Sequence, residues 1–191
     1  KSIKEVELLD GTEVIDFYAF ARCDRMTRIS MPDTVKTIKS NAFQDCRSLR
    51  FIEIPKCICR INDATFMDCI SLQDVILPKI NKIGCFAFDG CLSLKQIRIP
   101  EGMQIIGENA FSNCTSLRTV ELLEGAIEIG NRAFEGCSSL RTVILPETVK
   151  KLGICAFNHC PNLRTVVMPE HLKGKKLRAF HTYSHIGFKY I

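Results

Sequence analysis

The chain has 191 residues, 46% of them hydrophobic and 25% charged, which fits one folded domain with a sizeable core and excludes a disordered or low-complexity chain. Its net charge of +5 is concentrated at one end: residues 170–191 carry net +4 and the other 169 residues carry +1, so there is no chain-wide basic field of the kind nucleic-acid binders need. No run of 18 apolar residues is present to span a membrane, and the opening KSIKEVELLD has no signal-peptide pattern.

From residue 3 onward the chain repeats. A Phe recurs at 20, 43, 66, 88, 111, 134, 157 and 180, so that every interval is 23 residues except one of 22. Seven of these Phe are followed three residues later by Cys, at 23, 46, 69, 91, 114, 137 and 160; the eighth has Tyr183 there. A leading apolar column (Ile3, Met26, Leu49, Leu72, Leu94, Leu117, Leu140, Leu163, Ile186) keeps the same phase. So do a β-branched column three residues on (Val6, Ile29, Ile52, Val75, Ile97, Val120, Val143, Val166) and an apolar column two further. Six of the seven Pro follow that last column.

Within each unit, V-x-I alternates with period two and predicts a short strand with one buried face. Pro ends it, lacking the N–H that a ladder needs. Gly84, Gly107, Gly130 and Gly153 share one column and predict a turn at positive φ. The A-F-x-x-C piece predicts one helical turn or a tight corner. A single unit cannot bury its own apolar face, so stacking is required. The 22-residue interval falls between Pro78 and Phe88, off the strand. It predicts a local irregularity there without a break in the sheet. Toward the C-terminus, KKLRAF keeps the Ala-Phe phase and Ile186 and Ile191 keep the strand phase, predicting an imperfect last coil or polar end cap.

IPEGMQIIGENAFSNCTSLRTVEL and LPETVKKLGICAFNHCPNLRTVVMP resemble the BspA-like leucine-rich repeats, and the resemblance covers essentially residues 3–169. It implies an α/β-type repeat solenoid: a right-handed leucine-rich-repeat superhelix with a parallel β-sheet on its concave face. Residues 1–191 then read as one domain of about eight repeats, with strand starts near 3, 26, 49, 72, 94, 117, 140 and 163 and a degenerate coil over 170–191. The resemblance also implies surface or secreted adhesion and host-protein binding, with no catalytic residues to carry over.

Among the 11 Cys, the seven in one column read as small buried hydrophobes. An odd column pairs badly as disulfides, and a linear ladder does not converge tetrahedrally on zinc. Cys57-x-Cys59 is a weak metal or redox signal, and Cys85 and Cys155 lie three repeats apart. His159 is adjacent in sequence to the column residue Cys160, which rules out a dyad; His181 and His185 have the i, i+4 spacing of a metal pair but no accompanying Glu. No phosphate-loop or nucleophile-elbow motif occurs. The sequence therefore calls for no enzyme, cofactor or metal.

The fixed phase identifies what points away from the core. Just after the leading apolar residue come Arg50, Lys95, Arg118, Arg141 and Arg164, beside a strip of Thr119, Thr142 and Thr165. Phe51, Ile76, Ile144 and Val167 are apolar where the core makes no demand, and Arg98 and Glu121 share the outward strand column. Together these residues predict a concave face that binds a protein, with apolar anchors and an Arg row. Strand propensity and solubility alone account for the same residues about equally well. The reading is a non-catalytic module with a protein ligand, at the cell surface or secreted; the alternative is an intracellular interaction scaffold, which many unpaired thiols suit.

Overall fold

A computed structural model describes residues 3–180 and 185–191, the side chains of Glu121 and Leu177 excepted. It is a parallel β-solenoid of about eight coils. Coil by coil, the strands are β1 (Glu5–Glu7) and β2 (Val14–Ile15); β3 (Arg28–Ser30) and β4 (Thr37–Ile38); β5 (Phe51–Glu53) and β6 (Arg60–Ile61); β7 (Asp74–Ile76) and β8 (Lys82–Ile83); β9 (Ile105–Ile106) alone; β10 (Thr119–Glu121) and β11 (Glu128–Ile129); β12 (Thr142–Ile144) and β13 (Lys151–Leu152). β14 (Thr165–Met168), a 3-10 turn at Glu170–Lys175, the short helix α1 (Lys176–Phe180) and β15 (Gly187–Tyr190) finish the chain. Helix content is low, and the corners are tight turns.

Most coils thus carry two strands. The first forms the strand face foreseen from V-x-I, with β10, β12, β14 and β15 in one continuous sheet. The second, at the column just before the glycines, builds a further parallel strip: β6, β8, β9, β11 and β13. The two-residue strands of this strip are too short to show alternation, so the sequence pattern does not reveal them.

Three expectations are corrected. Gly84, Gly107, Gly130 and Gly153 are not at positive φ. They are glycines because neighbouring coils touch there: a Cβ on Gly107 would sit 2.6 Å from the backbone carbon of Gly84, and one on Gly130 2.6 Å from that of Gly107. Positive φ falls instead at the residue before the corner Ala (Asn41, Asn109, Arg132 and their equivalents) and two after the Phe (Asp45, Asp68, Gly90, Asn113, Gly136, His159).

The strand-face sheet is also not unbroken. β3 and β5 do not pair, and no strand is assigned among residues 94–100. The shortened arc itself keeps its ladder, with Lys82 opposite both Arg60 and Ile105. Buried Ile58 and Ile80 are equivalent, which places the deletion between Pro78 and Ile80. Its effect appears in the tilt of the next coil: Phe66 and Phe88 lie 16° from parallel, whereas the other stacked pairs lie within 8°.

Finally, the last strand is one residue out of the expected phase. Val166 pairs with Phe188 and Met168 with Tyr190, so Phe188 and Tyr190 face inward in place of Lys189 and Ile191. A one-residue slip exchanges the two faces of a strand. Here it spares Lys189 from burial, which would be costly for an unpaired charge.

The core is a set of ladders along the axis. Phe20, Phe43, Phe66, Phe88, Phe111, Phe134, Phe157 and Phe180 stack ring on ring, with centroids 4.9–5.4 Å apart. Phe188 closes the row edge-on, at 5.4 Å and 87°. From Phe43 to Phe180 the rings are at most 1% exposed. Each such burial contributes about 2 kcal/mol.

Candidate protein-binding face

The corner sets the phase of everything else. The Phe N–H of one coil donates to the carbonyl of the residue before the next coil's Phe, as from Phe88 to Ala110 and from Phe111 to Ala133, at 2.8 and 2.7 Å. The Cys thiols complete the stitch in the other direction. Cys46, Cys69, Cys91, Cys114, Cys137 and Cys160 each point an Sγ at the Phe carbonyl of the preceding coil, 3.1–3.4 Å away. They are therefore inter-coil donors as well as core fillers, a role that residue type alone does not reveal.

Burial pushes the thiols of Cys69, Cys91 and Cys137 well above the ordinary 9.0, raises that of Cys114, and pushes Cys160 up to about 12. A thiol held neutral is neither nucleophile nor metal ligand. No disulfide joins the cysteines of the described residues; Cys57 and Cys59 are exposed and Cys85 and Cys155 partly so. No group of three or more His, Cys, Asp or Glu is placed to hold a metal among the described residues. His181 lies outside those residues, so the His181–His185 pair does too. His159 turns outward at its corner, with Nδ1 3.2 Å from Glu135.

On the strand face, the inward column Ile29, Ile52, Val75, Ile97, Val120, Val143 and Val166 is buried, at most 8% exposed. The residues between point out. Arg50, Lys95, Arg98, Arg118, Arg141 and Arg164 are exposed, as is Thr119; Thr142, Thr165, Ile144 and Val167 are partly exposed. The backbone of Glu121 aligns with Ile144 on β12. Phe51 is 42% and Ile76 50% exposed, and both line a cleft of about 390 Å³ with Asp74, Gln96 and Arg98. A neighbouring cleft of about 430 Å³ lies among Gln73, Asp74, Lys95, Gln96, Arg118 and Thr119, where the sheet is interrupted.

The cation row is continuous in the backbone. Arg118 N donates to Lys95 O at 3.3 Å, and Arg141 to Arg118 and Arg164 to Arg141 at 2.9 Å each. These four residues thus sit one coil apart in one file. Elsewhere, lysines of this chain pair along the axis: Lys36 with Glu13 at 2.6 Å, Lys39 with Asp16 at 2.9 Å, Lys151 with Glu128 at 3.0 Å. Among the described residues, no carboxylate pairs with Arg50, Lys95, Arg98, Arg118, Arg141 or Arg164. Arg164 also donates to the carbonyls of Pro161 and Leu163, at 3.0 and 3.3 Å, and a file of one charge sign attracts anions.

The family model of the BspA-type leucine-rich repeat region matches residues 1–99 and 81–189, in six copies. The chain belongs to the BspA-type leucine-rich-repeat family. Among solved structures, a leucine-rich-repeat protein of T. pallidum is 36% identical, covering 69% of this chain and 62% of its own, with a TM-score of 0.67. A leucine-rich cell surface protein of Faecalibacterium prausnitzii is 22% identical over 86% of this chain and 59% of its own, with a TM-score of 0.61. The pneumococcal vaccine antigen PcpA is 19% identical over 87% of this chain and 51% of its own, with a TM-score of 0.54. This chain therefore spans between half and two thirds of the length of each. The latter two likenesses concern the fold alone. No curated protein matches the chain. This BspA-type chain has, among the described residues, no helix long and apolar enough to cross a membrane.

Proposed function

We propose that this chain is a non-catalytic module that binds a protein through its strand face, in an adhesion or host-interaction role at the cell surface or outside the cell. One observation carries the reading: the outward residues of that face combine exposed apolar side chains, Phe51 and Ile76, with a file of cations that have no carboxylate partner in the described residues. An apolar anchor beside Arg is the composition that concentrates binding energy in protein interfaces. The solenoid supplies rigidity, so little ordering is needed on binding. The surface role is what the resemblance of the repeats to the BspA-type family implies.

A photo-reactive benzoylphenylalanine placed at Thr142 on the strand face, and separately at exposed Glu108 on the opposite side, tests the site. Cross-linked polypeptide is expected from position 142 and not from 108. Cross-linking from 108 alone, or equal yield from both, would remove the strand face as the site.

A second reading, an intracellular interaction scaffold, is favoured by one observation: no disulfide joins the described cysteines, and two of them are exposed. Protease digestion of intact source cells decides the location. Loss of the protein means a surface location; survival until lysis means the intracellular one.

A further inference from the structure

We propose that the cation file Lys95–Arg118–Arg141–Arg164 receives a short acidic amphipathic helix of the partner protein, lying along the solenoid axis across coils five to eight. The inference rests on the strand face being the binding surface and adds what binds there.

Charge gives the sign of the ligand. Over these coils the outward positions carry Lys95, Arg98, Arg118, Arg141 and Arg164 against the single acid Glu121. Over coils one to four the same positions mix Lys4, Arg28 and Arg50 with Glu5, Glu7, Glu53 and Asp74. Only the C-terminal half is strongly basic, and its cations make no ion pair with a described carboxylate, Asp74 at the edge of the file included. An Arg file favours carboxylates, which accept the guanidinium fork bidentately.

Spacing gives the shape of the ligand. Coils five to eight step by 5.2, 5.1 and 4.9 Å, read from the Phe ladder. Carboxylates placed alternately three and four residues apart on a helix advance about 5.3 Å per step. Same-face residues of an extended strand advance about 6.7 Å. Over three steps the helix stays within about 1 Å of the file, while the strand overshoots it by about 4–5 Å.

The cross-section agrees. Moving along β12 and β14 from the file, one meets Arg141 then Thr142 then Ile144, and Arg164 then Thr165 then Val167. Each Arg precedes its strand and lies three positions from the apolar residue, at most about 10 Å of chain, close to the diameter of a helix. A helix with acids on one flank and apolar side chains on the other would set its acids on the Arg file and its apolar flank on Ile144 and Val167, with the Thr hydroxyls between.

The test uses the whole chain and three synthetic probes. The first is a 16-residue helical peptide with Glu at alternating three- and four-residue spacing and Leu on the adjacent flank. The second has the same composition with the Glu spread around the helix. The third is a heparin hexasaccharide. Fluorescence anisotropy is expected to give at least tenfold tighter binding of the first peptide than of the second. Binding should weaken at least tenfold in Arg118→Glu/Arg141→Glu/Arg164→Glu. It should change less than twofold in Lys36→Glu/Lys39→Glu/Lys151→Glu, which alters net charge equally on another face. The milder Arg118→Gln/Arg141→Gln/Arg164→Gln carries the test if charge reversal unfolds the coil.

Equal binding of the two peptides, or equal loss in the two charge reversals, would overturn the proposal. So would tighter binding of heparin that depends on the Arg file, which would reassign the row to sulfated glycan. If the registered peptide fails while cross-linking at position 142 persists, the helix is wrong and the protein-binding face stands.

Discussion

A buried Cys thiol aimed at a carbonyl is a neutral donor, and that has a pH consequence. An unfolded thiol ionises near 9.0, whereas Cys160 does not until about 12 and Cys69, Cys91, Cys114 and Cys137 are likewise raised by burial. A raised folded-state value means the contribution is intact below the unfolded value and is lost as pH climbs above it. Each thiol that ionises only on unfolding then costs stability above pH 9, on the order of several kcal/mol per pH unit for the five together. That rivals the whole stability of an ordinary domain. Urea denaturation at pH 8, 9 and 10 should therefore show level stability to about pH 9 and a steep fall beyond; level stability through pH 10 would exclude this role for the thiols. Glycine gives a second residue-scale prediction. Gly107→Ala places a methyl against backbone 2.6 Å away and should cost about 3 kcal/mol, on the order of 10 °C in melting temperature. Gly174→Ala, with nothing within 4 Å, should melt within about 2 °C of the parent. The period of 23 made the core columns legible because burial tolerates only apolar residues there. It left the glycines misread, since close approach and positive φ select the same residue. The Thr and Arg strips were legible as outward, because phase decides that. That no described carboxylate pairs with the cations was not, because pairing depends on three-dimensional neighbours.

At the scale of the element, strands in this molecule are short and rely on their neighbours for order. β10, β12, β14 and β15 form one ladder, and β14 with β15 is its longest pairing, with four residues opposite four. Coil five offers no assigned strand at the equivalent place, next to the tilt created by the shortened coil four. Sequence shows a good V-x-I pattern there, Gln96-Ile97-Arg98-Ile99, and Ile97 and Ile99 are buried as the pattern requires. Burial of side chains and pairing of backbone are separate matters, and only the first is written in hydrophobic periodicity. Amides of residues 96–99 should therefore exchange with solvent at least tenfold faster than those of Thr142–Ile144, measured by hydrogen exchange in the native state. Equal protection would mean that coil five is laddered after all. The last coil was hard to read for a related reason. The slip that puts Phe188 inward is decided by the cost of burying Lys189, a competition between two registers that a repeat count cannot weigh.

For the whole molecule, stability is close to a sum of coil energies and nearest-neighbour contacts, so the weakest junction decides how it opens. The Phe ladder is continuous and does not mark one. The two strand ladders do, because both are interrupted between coils two and three: β3 does not pair with β5, nor β4 with β6. One cause is visible at Asn62. In most other coils the backbone N–H at this column donates to the carbonyl one coil back, as Gly84 does to Ile61 and Gly107 to Ile83, both at 2.8 Å. At coil three the Asn62 side-chain amide takes the Ile38 carbonyl instead, at 2.6 Å. A side-chain donor competing with the backbone in this way replaces the ladder locally. An open cleft of about 350 Å³ lies at the same junction on the strand face, between Arg28–Asp33 and Phe51–Lys56. The main joint between these coils is the corner, where Asn41, Phe43 and Asp45 donate to Asp63, Thr65 and Met67, Cys69 donates to the Phe43 carbonyl, and Phe43 stacks on Phe66 at 5.4 Å. Coils one and two should therefore open as a unit before the rest. In hydrogen exchange at rising urea, residues 3–46 are expected to lose protection together at lower denaturant than residues 105–168, with the boundary at coil three. Loss of protection at one common urea concentration, or opening from the C-terminal end, would contradict that order. The cation file proposed to bind, Lys95–Arg164, then sits on the part that stays closed, the arrangement a preorganised face requires.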